Sequence, residues 1–138
     1  MTRCSALLLL SLLGCGGALP APTAAQHPAA AYVEVPYPPP AALAETVPPR
    51  PAYPGVVWVD GEWRFRGQGF AWRRGGWVVP PTASKFAPWR SWYRSDGRLM
   101  LAPGTWYDVK HERLRAPQPV VPAVTPPNER TSEAQTGR

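Results

Sequence analysis

Proline decides where this chain can build regular structure. Its ring fixes φ near about −65° and removes a backbone donor, which breaks helices and interrupts strand ladders. Of the 20 prolines, eleven lie at or before Pro54 and five at or after Pro117, leaving four in between. All seven tryptophans occupy that gap, from Trp58 to Trp106. The 138 residues therefore divide into a proline-rich leader, an aromatic body over residues 53–115 and a proline-rich tail over residues 116–138. A body of roughly 60 residues is close to the lower limit for folding unaided, and such domains lean on disulfides, a metal, a partner or close packing. Disulfides within the body are excluded, because the two cysteines are Cys4 and Cys15, both ahead of it.

The body carries an internal repeat. Trp58-Val59-Asp60-Gly61-Glu62-Trp63 and Trp72-Arg73-Arg74-Gly75-Gly76-Trp77 share the pattern W-x-x-G-x-W. Leu101-Ala102-Pro103-Gly104-Thr105-Trp106 is a third copy, with leucine in place of the first tryptophan. Asp60-Gly61 and Arg74-Gly75 read as two-residue hairpin loops in which glycine supplies a positive φ. That register sets Trp58 opposite Trp63 and Trp72 opposite Trp77. A turn at Gly67-Gln68 sets Trp63 opposite Trp72 and Phe65 opposite Phe70. Every large aromatic from Trp58 to Trp77 then shares one face, with Val57, Val59, Glu62, Arg64, Arg66, Ala71 and Arg73 on the other. In the second half, an Asp96-Gly97 turn sets Trp92 opposite Leu101, and Pro103-Gly104 sets Leu101 opposite Trp106. The fold expected is mainly β, a small antiparallel meander of about six short strands built from Trp-rich hairpins. The two intact copies closely resemble the bacterial WXXGXW (also YXWGXW) repeat proteins, which are small secreted or lipid-anchored envelope proteins. The resemblance covers Trp58 to Trp77 well and Leu101 to Trp106 loosely. It implies an envelope location and β structure, and it implies no activity.

At the amino terminus, Arg3 precedes an apolar run over residues 6–13 that only Ser11 interrupts. The run is too short to span a bilayer and suits a signal-peptide core. It ends in Leu12-Leu13-Gly14-Cys15, which resembles the lipobox of bacterial lipoproteins. The resemblance implies that residues 1–14 are a signal peptide and that Cys15 is acylated and anchors the mature chain in a membrane. The competing reading is an ordinary signal peptide cut near Ala18 or Ala21, which discards Cys15. By resemblance to Gram-negative sorting, Gly16 rather than aspartate after the cysteine favours the outer membrane. Residues 15–52 are expected to be an extended Ala/Pro-rich tether reaching up to roughly 100 Å. Within it, Val33, Val35 and Tyr37 alternate as one possible edge strand. Residues 116–138 are expected to be disordered.

The formal charge is +6, and residues 53–115 hold eleven Lys/Arg against five Asp/Glu. A basic body is either a solvated face or a surface for an anionic neighbour. No catalytic constellation is visible. His27 and His111 have no partner at metal-ligand spacing, Asp60 and Asp96 read as turn residues, and Ser84, Ser91 and Ser95 lack a base. No enzyme, metal or cofactor is expected. The segment from Arg66 to Trp72 imitates an RNA-binding signature, but Gln68 stands where an aromatic should stack and no βαβ pattern flanks it, so no nucleic acid is expected. The function expected is a non-catalytic, lipid-anchored envelope protein whose β module is structural or binds an envelope protein. The alternative is a glycan-binding lipoprotein that uses Trp89, Trp92 and Trp106 with Arg64, Arg66 and Arg73. A flat exposed row of Trp89, Trp92 and Trp106 favours glycan; burial favours the structural module.

Overall fold

A computed structural model describes residues 17–124. Cys4, Cys15 and the end of the tail lie outside the described residues. The chain is mainly β, as the alternation predicts, but its architecture is not a single six-stranded meander. Among the described residues, ten short strands form four small antiparallel sheets. They are β1 (Val33–Val35), β2 (Val57–Val59), β3 (Glu62–Arg66), β4 (Gly69–Arg73), β5 (Gly76–Val78), β6 (Lys85–Ala87), β7 (Arg90–Tyr93), β8 (Leu99–Ala102), β9 (Thr105–Tyr107) and β10 (Val121–Pro122). The sheet orders are β1-β8-β7, β10-β5-β2, β3-β4 and β6-β9. Three small apolar clusters replace one large core. They centre on Trp58 with Trp77, on Leu101 with Val35 and Leu99, and on Trp106 with Val59 and Val78.

The two intact repeat copies build one long, interrupted hairpin. Its tip is Gly67-Gln68, as expected, with Gly67 at φ +60° in the first loop position, where a type II′ turn requires a positive φ. From Arg66↔Gly69 the pairing counts outward through Phe65↔Phe70 and Trp63↔Trp72. It resumes in the same register at Val59↔Gly76, Trp58↔Trp77 and Val57↔Val78. The first copy thus lies antiparallel to the second. The expected pairs Trp58–Trp63 and Trp72–Trp77 do not form; Trp58 meets Trp77, and Trp63 meets Trp72. Both pairs are edge-to-face, with ring centroids 5.5 Å and 5.1 Å apart. Such pairs contribute about 0.5–1.5 kcal/mol each beyond burial.

The W-x-x-G-x-W unit is therefore a corner, not a hairpin. In all three copies its first and last positions belong to different sheets: Trp58 in β2 and Trp63 in β3, Trp72 in β4 and Trp77 in β5, Leu101 in β8 and Trp106 in β9. Leu101 is accordingly not opposite Trp106. The corner glycines are needed for close approach. Gly61 and Gly75 do not have positive φ, which corrects the hairpin reading; among the described residues the positive-φ glycines are Gly55, Gly67 and Gly97. A Cβ on Gly75 would sit 2.7 Å from the Val59 carbonyl oxygen and 2.8 Å from the Gly61 nitrogen. A Cβ on Gly61 would collide with the Trp72 indole, and one on Gly104 with the Glu62 carboxylate and the Phe86 ring.

The turn at Asp96-Gly97 also departs from expectation by one residue. Arg94 N–H donates to the Arg98 carbonyl at 2.8 Å and Gly97 N–H to the Arg94 carbonyl at 2.9 Å, with Gly97 at φ +83°. The loop is three residues, Ser95 to Gly97, a hairpin form that uses glycine at its left-handed position. The register shifts accordingly: Trp92 faces Met100, and Ser91 faces Leu101.

The leader is stitched to the body from Pro20 onward, so residues 20–52 are not a free tether. A proline-rich chain makes few backbone bonds of its own and leaves its carbonyls open to other donors. Trp58 N–H donates to the Pro20 carbonyl at 2.7 Å, and Phe86 N–H to that of Thr23 at 2.8 Å. β1 is the edge strand that Val33 and Val35 predicted, pairing with β8. Tyr37 caps the hairpin tip, edge-on to Phe65 and Phe70, and its hydroxyl donates to the Gln68 carbonyl at 2.7 Å. The leader then meets three indoles in turn. Trp63 Nε1 donates to the Ala41 carbonyl at 3.0 Å, Trp72 Nε1 to Glu45 Oε1 at 2.9 Å, and Trp77 Nε1 to the Pro48 carbonyl at 2.9 Å. The tail is ordered as far as it is described: β10 pairs with β5, and Ala123 is buried beside Trp58 and Trp77.

Close approach and turn geometry predict different mutational spectra. Gly75→Ala should destabilise the full chain by roughly 2 kcal/mol or more, because the added methyl meets backbone atoms that cannot turn aside. Gly75→Asn should be at least as harmful, whereas Gly97→Asn should be mild because Asn tolerates a left-handed φ. Urea denaturation of the three variants checks this; a Gly75→Asn variant as stable as the parent contradicts the corner assignment.

Candidate functional site

Each repeat copy places a carboxylate at its corner. In the first copy, Trp58 Nε1 donates to Oδ1 of Asp60, inside the motif itself, at 2.7 Å. In the second, one carboxylate from the leader takes both motif donors: Glu45 Oε1 accepts Trp72 Nε1 and Oε2 accepts the Gly75 N–H, each at 2.9 Å. In the third, Gly104 N–H donates to Glu62 Oε2 at 2.8 Å. Leu101 has no N–H to offer from its side chain, and Arg64 Nε occupies the remaining oxygen, Glu62 Oε1, at 2.8 Å. At the second corner the indole N–H of Trp72 and the backbone N–H of Gly75 are presented together, a donor pair that matches the two oxygens of the Glu45 carboxylate.

Glu62 is the electrostatic centre of the fold. Its side chain is 2 % exposed, and Arg73 Nε lies 3.1 Å from Oε1, beside Arg64. Burial pulls the Arg73 guanidinium below its ordinary pKa; Glu62 opposes that shift and the neighbouring Arg64 adds to it. Arg73 Nε and Nη2 are buried without a well-directed hydrogen bond. Glu62 joins β3, β4 and the β8–β9 corner through these contacts, so it is architecture rather than a reactive acid.

The row of tryptophans that the alternative, glycan-binding reading requires is not assembled. Trp106 is 2 % exposed and packs on Phe86 at 5.0 Å, which removes it from any surface row. Trp89 is half-buried at a separate pocket beside Trp58 and Phe86. Trp92 is exposed on β7 and stands edge-on to Tyr32. Arg64 and Arg73 are turned inward to Glu62, leaving Arg66 as the one exposed arginine of the three.

A different basic site appears instead. A cleft of about 520 Å³ opens between the leader around Ala30, the outer part of β3, the β8–β9 corner and the turn after β9. Arg64, Arg66, His111 and Arg113 line it, together with Phe65 and Tyr107, and no carboxylate of the described residues does. The turn is built by Asp108, whose Oδ1 accepts N–H groups from Lys110 and Glu112, both at 2.8 Å. His111 sits within it at φ +62°, a left-handed conformation that histidine adopts more readily than most residues. Burial pushes the Tyr107 phenol above its ordinary pKa, and its oxygen lies 3.2 Å from His27 Nδ1. Sequence reasoning placed Arg64 and Arg66 among candidate ligand residues but missed His111 and Arg113. The run Lys110-His111-Glu112-Arg113 carried the only signal for them, and its position beside β3 depends on the Asp108 turn. Among the described residues no three of His, Cys, Asp and Glu gather as metal ligands do.

No protein-family model, curated protein or solved structure matches the chain. The likeness to WXXGXW repeat proteins rests on the motif residues alone.

The role given to Glu62 makes a quantitative prediction. Glu62→Gln should destabilise the chain by roughly 2–3 kcal/mol, somewhat less than breaking a fully buried pair because Arg64 and Arg73 keep some solvent. Adding Arg73→Met should recover part of that loss, giving a coupling energy of about 1 kcal/mol or more in a double-mutant cycle. Additive losses measured by urea denaturation contradict the assignment.

Proposed function

We propose that this chain is a non-catalytic, lipid-anchored protein of the bacterial cell envelope, belonging with the WXXGXW repeat proteins, whose β body is a structural or protein-interaction module. The observation that carries this reading is where the tryptophans go. Trp58, Trp77 and Trp106 are buried, and Trp63 and Trp72 are paired edge-to-face with their N–H groups bonded to the leader. Indoles used in this way hold a small body together and are not available as a stacking platform.

One surface supports an interaction role. Among the described residues β7 pairs only with β8, and it is exposed along its length, with Trp92 46 % and Tyr93 64 % exposed. An unpaired edge carrying two large aromatics is a place where a partner strand can add, and the flanking Arg90 and Arg94 discourage indiscriminate pairing.

The stitched leader changes what the anchor means. Pro20, whose carbonyl is already bonded to the body, lies only five residues beyond Cys15. Fully extended, that stretch spans about 18 Å. An acylated Cys15 therefore holds the body at the bilayer surface instead of letting it range roughly 100 Å away. Gly16 remains the feature that favours the outer membrane.

The test is metabolic labelling with palmitate and detergent-phase partitioning of the full chain in a Gram-negative host. The parent should incorporate label and enter the detergent phase, and Cys15→Ser should abolish both. Partitioning unchanged by the substitution contradicts the anchor.

A further inference from the structure

The cleft beside β3 has the makings of a ligand site that the tryptophan motif does not explain. Its volume, about 520 Å³, lies within the range of small-molecule pockets. Its charge is one-sided. Arg64 is largely spent on Glu62 and on the Gly104 carbonyl, to which its Nη2 donates at 3.2 Å. Arg66 and Arg113 are different: both are exposed, and neither makes an ion pair with another described residue. Two guanidiniums without an ion-pair partner among the described residues, both lining a cleft to which those residues contribute no carboxylate, form a region of positive potential, and their planar forks match the oxygens of a carboxylate or phosphate.

The walls narrow the ligand further. Ala30, Val33, Phe65 and Pro103 add apolar surface to the same lining. A bare inorganic anion gains nothing from such walls, whereas a ring bearing an acidic group uses both. A sugar ring has one apolar C–H face and a hydroxylated rim, and it suits a cleft whose lining combines an aromatic with charged donors. The site is also held in place. The Asp108 turn fixes His111 and Arg113, and an isolated antiparallel bridge joins Tyr107 to Arg113.

We infer that this cleft binds the acidic sugar unit of an anionic glycan, with Arg66 and Arg113 holding its carboxylate or phosphate and Phe65 facing the ring. The inference does not rest on the lipid anchor, and failure of either leaves the other standing.

The test is calorimetric titration of the full chain, made soluble with Cys15→Ser, against tri-galacturonic acid, glucose 6-phosphate, neutral chitotriose and inorganic phosphate. Backbone amide shifts locate whatever binds. At least one acidic sugar should bind and move the amides of Arg66, His111 and Arg113. A preference for the uronic acid names a carboxylated glycan, and a preference for the sugar phosphate names a phosphorylated one. Arg66→Ala and Arg113→Ala, both at exposed positions, should each weaken binding at least tenfold, while Arg115→Ala, an exposed arginine outside the cleft, should leave it unchanged. The inference is overturned if neither acidic sugar binds, or if chitotriose or inorganic phosphate binds as tightly as the better of them. Equal losses at Arg66, Arg113 and Arg115 also overturn it, since they signify attraction to net charge.

Discussion

The fold depends on satisfying N–H groups at corners where no strand can reach them. A W-x-x-G corner turns the chain from one sheet into another, and in doing so removes donors from the ladder. An unpaired buried donor costs about 1–3 kcal/mol, a large fraction of what a small domain has to spare. This chain answers with carboxylates: Glu45 takes the Gly75 N–H at the second corner and Glu62 the Gly104 N–H at the third, while Asp60 takes the Trp58 indole N–H at the first. The glycine permits the close approach, and the acid satisfies the groups that the approach exposes. Glu62 has two arginines at its side; Glu45 instead has both oxygens occupied by neutral N–H donors.

That arrangement explains why so small a body keeps a long proline-rich leader. The aromatic segment has no disulfide, and two of the three thin apolar clusters are completed from outside it, by Val35 of the leader and by Ala123 of the tail. Residues 20–48 close the open faces: Tyr37 over the hairpin tip, then Ala41, Glu45 and Pro48 on successive indoles. Proline suits this task because an extended chain fixed in φ loses little further entropy on docking, and its carbonyls have no competing partners. The same docking brings the leader against β8 and β6, so chain segments distant in sequence share small sheets and bridges.

The β class, the Gly67-Gln68 tip and the pairs Trp63–Trp72 and Phe65–Phe70 were legible in the sequence, because period-two alternation and a glycine turn fix register locally. The edge strand at Val33–Val35 was legible for the same reason. The role of the motif was not. Asp60-Gly61 has the chemistry of a hairpin turn, and nothing within six residues distinguishes a turn from a corner whose partner is the other copy of the motif. Trp92 was misplaced by one residue because a D-G pair serves three-residue loops as well as two-residue ones. Glu45 was a lone acid in an Ala/Pro run, and its importance exists only once Trp72 and Gly75 are brought to it. His111 and Arg113 join Arg66 only through tertiary placement.

The central claim, that the leader's acceptors hold the indoles of the body, is tested most directly by hydrogen exchange at the tryptophan Nε1–H groups, read by NMR on the full chain. Trp72 and Trp77 should exchange at least about a hundredfold more slowly than free indole. Glu45→Ala should remove the protection of Trp72 while sparing much of that at Trp77, which bonds to the Pro48 carbonyl. Exchange of both indoles at the free rate in the parent chain would contradict the claim, because indoles that open so readily are not held by the leader.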